Sequence, residues 1–223
     1  MLDPLQLYTF AITPALQPVF TKYKSQPDIV FTAYYRLAYK LAVLGILTAT
    51  IMFWYADDII FILFGSMWFA VSELLKILAL SIPVQMVLSS TGGLYQAMGA
   101  TKQMFYCGIF SSVVNVSAII FGVYMGDMIV LCISLVTAFI INYIQCFYVL
   151  HRFVFKVKRL KSFIILSFFV LISLLNLFFG QKESIPNGSF SYANSFYSLA
   201  NIVVPLILIF IFGFIIRKKV GSF

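Results

Sequence analysis

The sequence predicts an all-α integral membrane protein, an antiparallel bundle of about six full transmembrane helices plus one short N-terminal span. Hydrophobic residues make up 62% of the 223-residue chain and charged residues only 10%. A water-soluble fold of this length has too little interior to hide such a composition. The apolar residues gather into segments with few or no charges, near the roughly 20 residues that a helix needs to cross a bilayer core of about 30 Å. Thirteen of the fifteen Lys and Arg residues then fall in stretches that one threading of those segments places on a single side of the membrane.

The short first span covers about residues 5–20 and carries Gln6, Pro14, Gln17 and Pro18, with Lys22 and Lys24 following as a stop. Full spans are expected at about 37–56, 74–98, 103–125, 128–150, 162–180 and 197–216. Ala56 to Trp68 is apolar but too short to cross. It is expected to lie re-entrant or interfacial at the outer surface, with Trp54, Tyr55 and Trp68 as interface anchors. Tight turns are expected at Gly99-Ala100-Thr101-Lys102 and at Met125-Gly126-Asp127. No loop is large enough to fold as a soluble domain, so residues 1–223 read as one transmembrane unit.

The basic stretches are Lys22 to Lys40, Lys102, Arg152 to Lys161 and Arg217 to Lys219, and each follows an odd crossing. Cytoplasmic loops carry such an excess of cations. Asp3, Asp57, Asp58, Glu73, Asp127 and Glu183 fall on the other side with only Lys76 and Lys182. The reading is a multi-pass protein of the cytoplasmic (inner) membrane with the C-terminus inside and Met1 outside. A short, proline-broken first span is awkward to insert from outside, and the chain is therefore expected to be the later part of something longer. The net charge of +8 is absorbed by this topology and implies no nucleic-acid partner, which would want a contiguous basic face.

Without a hydrophobic force between helices in lipid, small and polar residues on one face must pair them. Three such seams recur at helical spacing: Gln85, Ser89, Gly92, Gln96 and Gly99; Gly108, Ser111, Asn115, Ala118 and Gly122; Ser134, Ala138, Asn142 and Gln145. A buried amide in hydrocarbon costs several kcal/mol unless partnered, so each seam is expected to face the bundle or a wet cavity. Packing and cavity lining both fit, and Pro14, Pro18, Pro83 and Pro205 add the helix interruptions of a conduit.

Catalytic chemistry has little to work with. The single histidine, His151, stands beside Arg152 and reads as an interfacial residue. Asp57-Asp58 read as solvated interface residues, and no glycine-rich phosphate loop or metal-ligand cluster is present. Cys107, Cys132 and Cys146 are far apart in sequence and read as small buried hydrophobes. No enzyme activity and no cofactor are expected.

The run Leu63-Phe64-Gly65-Ser66-Met67-Trp68, then Glu73-Leu-Leu-Lys-Ile-Leu-Ala-Leu80 and Gly93-Leu-Tyr-Gln-Ala-Met-Gly-Ala-Thr-Lys102, resembles the Wzx-type polysaccharide flippases. These belong to the multidrug/oligosaccharidyl-lipid/polysaccharide exporter superfamily. Pro14-Ala-Leu-Gln-Pro-Val-Phe20 and Ala33-Tyr-Tyr-Arg-Leu-Ala-Tyr-Lys40 resemble the segment that precedes that run. The resemblance covers about residues 8–125, and over 126–223 only topology agrees. It implies one lobe, the second, of a two-lobe exporter with a central cavity, needing a separate N-terminal lobe or second copy to complete it.

It also implies flipping of undecaprenyl-diphosphate-linked oligosaccharide across the cytoplasmic membrane for surface polysaccharides such as O-antigen lipopolysaccharide or capsule. Arg36, Lys40 and Lys102 are then the expected diphosphate docking charges, and plain topology explains the same residues. Gln17, Gln85, Gln96, Asn115 and Asn142 are the expected cavity lining. Lys76 is expected to pair with Glu73 at i,i+3. The rival readings are a drug or cation exporter of the same superfamily, which would use membrane-embedded carboxylates, and a membrane polymerase, which would need a large charged outer loop.

Overall fold

Proline, glycine and aspartate set the helix boundaries in the computed structural model, which describes residues 20–155. Helix α1 (Pro27–Trp54) opens on proline in its first turn, where a missing N–H costs nothing, with Asp28 beside the positive end of the helix dipole. α2 (Ala56–Phe64) ends at Gly65, whose φ of 83° and ψ of 178° belong to a region essentially restricted to glycine. One 3₁₀ turn, Ser66–Trp68, leads into α3 (Val71–Ala79) and α4 (Ile82–Ala97). α5 (Thr101–Met125) stops at Gly126, which adopts the left-handed conformation. α6 (Met128–Val149) starts on Asp127, whose Oδ1 accepts from the Ile129 amide at 2.8 Å. Leu150–Phe155 extend it as a wider π-helical turn.

α1, α5 and the α6 segment are long and apolar enough to cross a membrane, and the bent α3–α4 pair makes up to four. The described residues are an all-α membrane protein. The expected first, sixth and seventh spans lie outside them. α2 is nine residues long and too short to cross, as its sequence indicates.

Two elements depart from the expected spans. α1 begins ten residues before the expected span at 37–56, because Arg36 is a good helix former and, like Lys40 within that span, does not end the helix. The expected continuous helix over 74–98 is instead broken at Leu80–Ser81, with a bend of 52°. Pro83 has no N–H to give the Ala79 carbonyl, which removes a hydrogen bond at the break. Ser81 ties the corner by donating to the Leu78 carbonyl at 2.7 Å and accepting from Gln85 Nε2 at 2.7 Å.

The bundle closes by two antiparallel pairings. α1 and α4 pack along Val30, Tyr34, Ala38, Ala42 and Ile46 against Pro83, Val87, Ser90 and Leu94, all buried. A Cβ added at Gly45 would lie 2.7 Å from Pro83 Cα, so the two backbones nearly touch there. α5 and α6 form a hairpin about the Gly126–Asp127 turn, and at Gly122 an added Cβ would meet Leu131 Cα at 2.6 Å. An aromatic cluster joins α1 to the π turn: Phe31 meets Phe155 edge-on at 5.1 Å and His151 at 5.7 Å. His151 is buried there and not interfacial, since the π turn rotates it inward onto α1.

Candidate functional site

α1 has 28 residues, about 42 Å of helix, against a hydrocarbon core of about 30 Å. Counted back from Trp54, Lys40 lies about 21 Å and Arg36 about 27 Å along the axis. Both therefore stand inside the helix rather than at its end. Arg36 and Lys40 are exposed and one turn apart, on the same stripe as Ile29, Leu44, Leu47 and Ile51. Neither has an acidic partner among the described residues, where Lys76 Nζ pairs with Asp57 Oδ2 at 2.7 Å. A cation near the centre of a membrane helix costs about 2.5–3.5 kcal/mol and less toward its ends, where a long side chain reaches the interface. Two cations on one face locate a wetter or more polar surroundings along that half of α1.

Lys102 is exposed in the first turn of α5, where the helix dipole disfavours a cation. Lys24, in the turn before α1, approaches that loop, and its Nζ would lie 2.7 Å from a Cβ placed on Gly99. Lys24 thus sits at the carbonyl end of α4, which favours positive charge.

The three polar seams divide. Those of α5 and α6 meet each other: Asn142 Nδ2 donates to Asn115 Oδ1 at 2.9 Å, and Ser134 Oγ donates to the Ala118 carbonyl at 2.9 Å. Asn115 and Asn142 therefore hold two helices together. The seam of α4 stays open among the described residues, with Gln85 and Gly92 half-buried and Ser89, Gln96 and Gly99 exposed. α4 turns its opposite face, Val87, Ser90 and Leu94, to α1. Gln17 lies outside the described residues.

Residues the sequence reading passed over form a buried junction of α4, α5 and α6. Tyr95 Oη donates to the Cys146 carbonyl at 2.9 Å and lies 3.8 Å from both Cys107 Sγ and Cys146 Sγ. Cys146 Sγ also donates to Thr91 Oγ1 at 3.5 Å. Cys107 and Cys146 are neighbours in space, contrary to their separation in sequence, because the α5–α6 hairpin folds one back beside the other. The signal was available in the turn at Gly126–Asp127, from which the two cysteines are equally distant. Lys76 likewise pairs with Asp57 and not Glu73, since α2 folds back against α3. Among the described residues no group of three His, Cys, Asp or Glu could hold a metal ion.

The model of the MatE family matches residues 9–121, about half of the chain. The chain belongs to the MatE family. It is a multi-pass membrane transporter of the multidrug/oligosaccharidyl-lipid/polysaccharide exporter superfamily. The MatE match takes in α1 to α4 and most of α5, hence both exposed cations of α1 and the open seam of α4. No curated protein and no solved structure matches the chain.

Proposed function

We propose that this MatE-family transporter flips undecaprenyl-diphosphate-linked oligosaccharide from the inner to the outer leaflet of the cytoplasmic membrane, for surface polysaccharide assembly. The observation that supports this reading is the pair Arg36 and Lys40, exposed, one turn apart and without an acidic partner among the described residues. Side chains four apart on a helix face have Cβ atoms about 5–6 Å apart, a spacing suited to the two phosphates of a diphosphate. Arg contributes a fixed bidentate fork and Lys a mobile point charge. In the lower dielectric beside a membrane helix these contacts are worth more than in water.

Lys102 would meet the headgroup at the neighbouring loop, and the open seam of α4, with Gln85 and Gln96, would line the path of the sugar. Gln17 belongs to the same proposed lining. Asn115 and Asn142 support it indirectly by fixing α5 against α6. A separate N-terminal lobe or a second copy would supply the facing wall. The basic end of the bundle is cytoplasmic in this reading, with Met1 outside and the C-terminus inside. A reporter active only outside should then work when fused after Asn187 and stay silent after Lys158; the reverse pattern would overturn the orientation.

The deciding experiment measures the leaflet distribution of lipid-linked oligosaccharide in cells depleted of the protein. Accumulation on the cytoplasmic leaflet is expected, reversed by the wild-type chain and not by Arg36→Gln/Lys40→Gln expressed at the same level. A normal distribution with heightened sensitivity to cationic drugs would replace this reading with the drug-exporter one.

A further inference from the structure

We infer that Cys107 and Cys146 are an oxidisable thiol pair, a modification site at which a hydroperoxide-class oxidant closes a disulfide between α5 and α6. The inference is independent of what the transporter carries. It rests first on register. Cys107 stands nineteen residues before Gly126 and Cys146 nineteen after Asp127, so an antiparallel hairpin about that turn places them opposite each other. Gly122 meets Leu131 in the same register, Ser134 reaches the Ala118 carbonyl one residue out of it, and Asn142 reaches Asn115 one turn out of it through its longer side chain. These contacts hold α5 beside α6 from the turn toward the cysteines.

Side-chain geometry carries the inference further. Both sulfurs lie 3.8 Å from one atom, Tyr95 Oη, which gathers them at one point between the helices. Both cysteines are 6% exposed, so a charged oxidant is excluded and a small neutral one is required. On either side of Cys107 along α5, Tyr106, Gly108 and Ile109 are exposed. Cys132 is also buried, but it lies fourteen residues from Cys146 along α6, about 21 Å along the axis, and serves as an internal control.

In the reaction, one thiol gives up its proton and its sulfur attacks the peroxide; the O–O bond breaks, the proton joins the leaving hydroxide, and a sulfenic acid and one water result. The second thiol then attacks the sulfenic sulfur; the S–S bond forms, the S–O bond breaks, and the hydroxyl leaves with the thiol proton as a second water. Two thiols lose two electrons, and one peroxide gains them. A dithiol reductant reverses the step. The product ties the open end of the α5–α6 hairpin, whose other end is closed by the turn.

The test counts thiols on the purified full-length chain, which has three cysteines. The protein is treated with hydrogen peroxide in detergent micelles, denatured, and labelled with a maleimide. The expected result is three labels before treatment, one after, and three again after dithiothreitol, with an intact mass lower by two hydrogens in the oxidised form. Cys132→Ser should fall from two labels to none, whereas Cys107→Ser and Cys146→Ser should each keep two. Three labels on the oxidised wild type, a gain of oxygen mass without cross-linking, or a disulfide between two chains would each overturn the inference.

Discussion

Replacing Gly45 by alanine tests the closest backbone approach in the bundle. Two effects oppose each other. Alanine improves helix propensity over glycine by about 1 kcal/mol. Against this, the new Cβ would lie 2.7 Å from Pro83 Cα, 3.3 Å from Pro83 N and 3.3 Å from Met86 Sδ. Carbon atoms in contact prefer about 3.5–4.0 Å, so α1 and α4 must separate by roughly 0.8 Å or more. A gap of that order forfeits a quarter to a half of each dispersion contact across the interface, which here includes Tyr34, Ile46, Val87 and Leu94. Overpacking a tight site costs about 1–3 kcal/mol, and Pro83 is backbone that cannot rotate away.

The net expectation for Gly45→Ala is destabilisation of up to about 2 kcal/mol, once the propensity gain of about 1 kcal/mol is subtracted from about 1–3 kcal/mol of overpacking. At about 2–4 °C per kcal/mol for a chain of this size, thermal unfolding in detergent should begin several degrees lower. Gly108→Ala is the matched control, because nothing lies within 4 Å of its added Cβ; it should match or exceed the wild type. Equal midpoints for Gly45→Ala and Gly108→Ala would refute the close-approach argument.

Three further outcomes follow from named contacts. Asn142→Leu should lower stability by about 0.6–2 kcal/mol through loss of the amide bond to Asn115, and Asn115→Leu/Asn142→Leu should lose less than the sum of the single changes, since no amide is then left unpartnered; thermal midpoints of the four proteins give the coupling. Tyr95→Phe removes the 2.9 Å bond to the Cys146 carbonyl and should cost about 1 kcal/mol, read by the same scan. For Asp57, burial alone would raise the carboxyl pKa, but hydrogen bonds from Lys76 and Ser72 and the charge of Lys76 outweigh it and hold the pKa below the ordinary carboxylate value. That contribution is present above the unfolded-state pKa and is lost as pH falls through the lower folded value. The half-exposed pair is worth about 0.2–1 kcal/mol, so stability should be flat near neutrality and decline in acid, with the decline reduced in Asp57→Asn.

Much of the fold is local and so readable from the chain. The Gly126–Asp127 turn depends on one left-handed residue and one N-cap side chain, both set by residue type. The spans of α5 and α6 follow from uninterrupted apolar length. The α3–α4 break was half visible: Pro83 marks a missing N–H, but a proline near a helix start and one within a bent span look alike until the neighbouring helix is placed. Gly45 is what makes the bend pack, and it lies 38 residues away in sequence.

The proposed site was less legible, for a physical reason. Arg36 and Lys40 look like loop cations, because hydropathy ends a span at the first charge, whereas the backbone continues its hydrogen bonds through them. Seams of small and polar residues specify that a helix has a preferred face, not which neighbour takes it. Asn115 found Asn142 on the next helix, while Gln85 turned to Ser81 on its own helix.

The sequence by itself determined the helical membrane class, the tight turns and the segment too short to cross, because apolar length, glycine and aspartate act within a few residues. Only the tertiary structure decided that Lys76 answers Asp57, that His151 is buried on Phe31, and that Tyr95 gathers Cys107 and Cys146. Those contacts depend on which helix faces meet, and that choice is settled by steric fit at positions such as Gly45 and Gly122, distant in sequence from the groups they bring together.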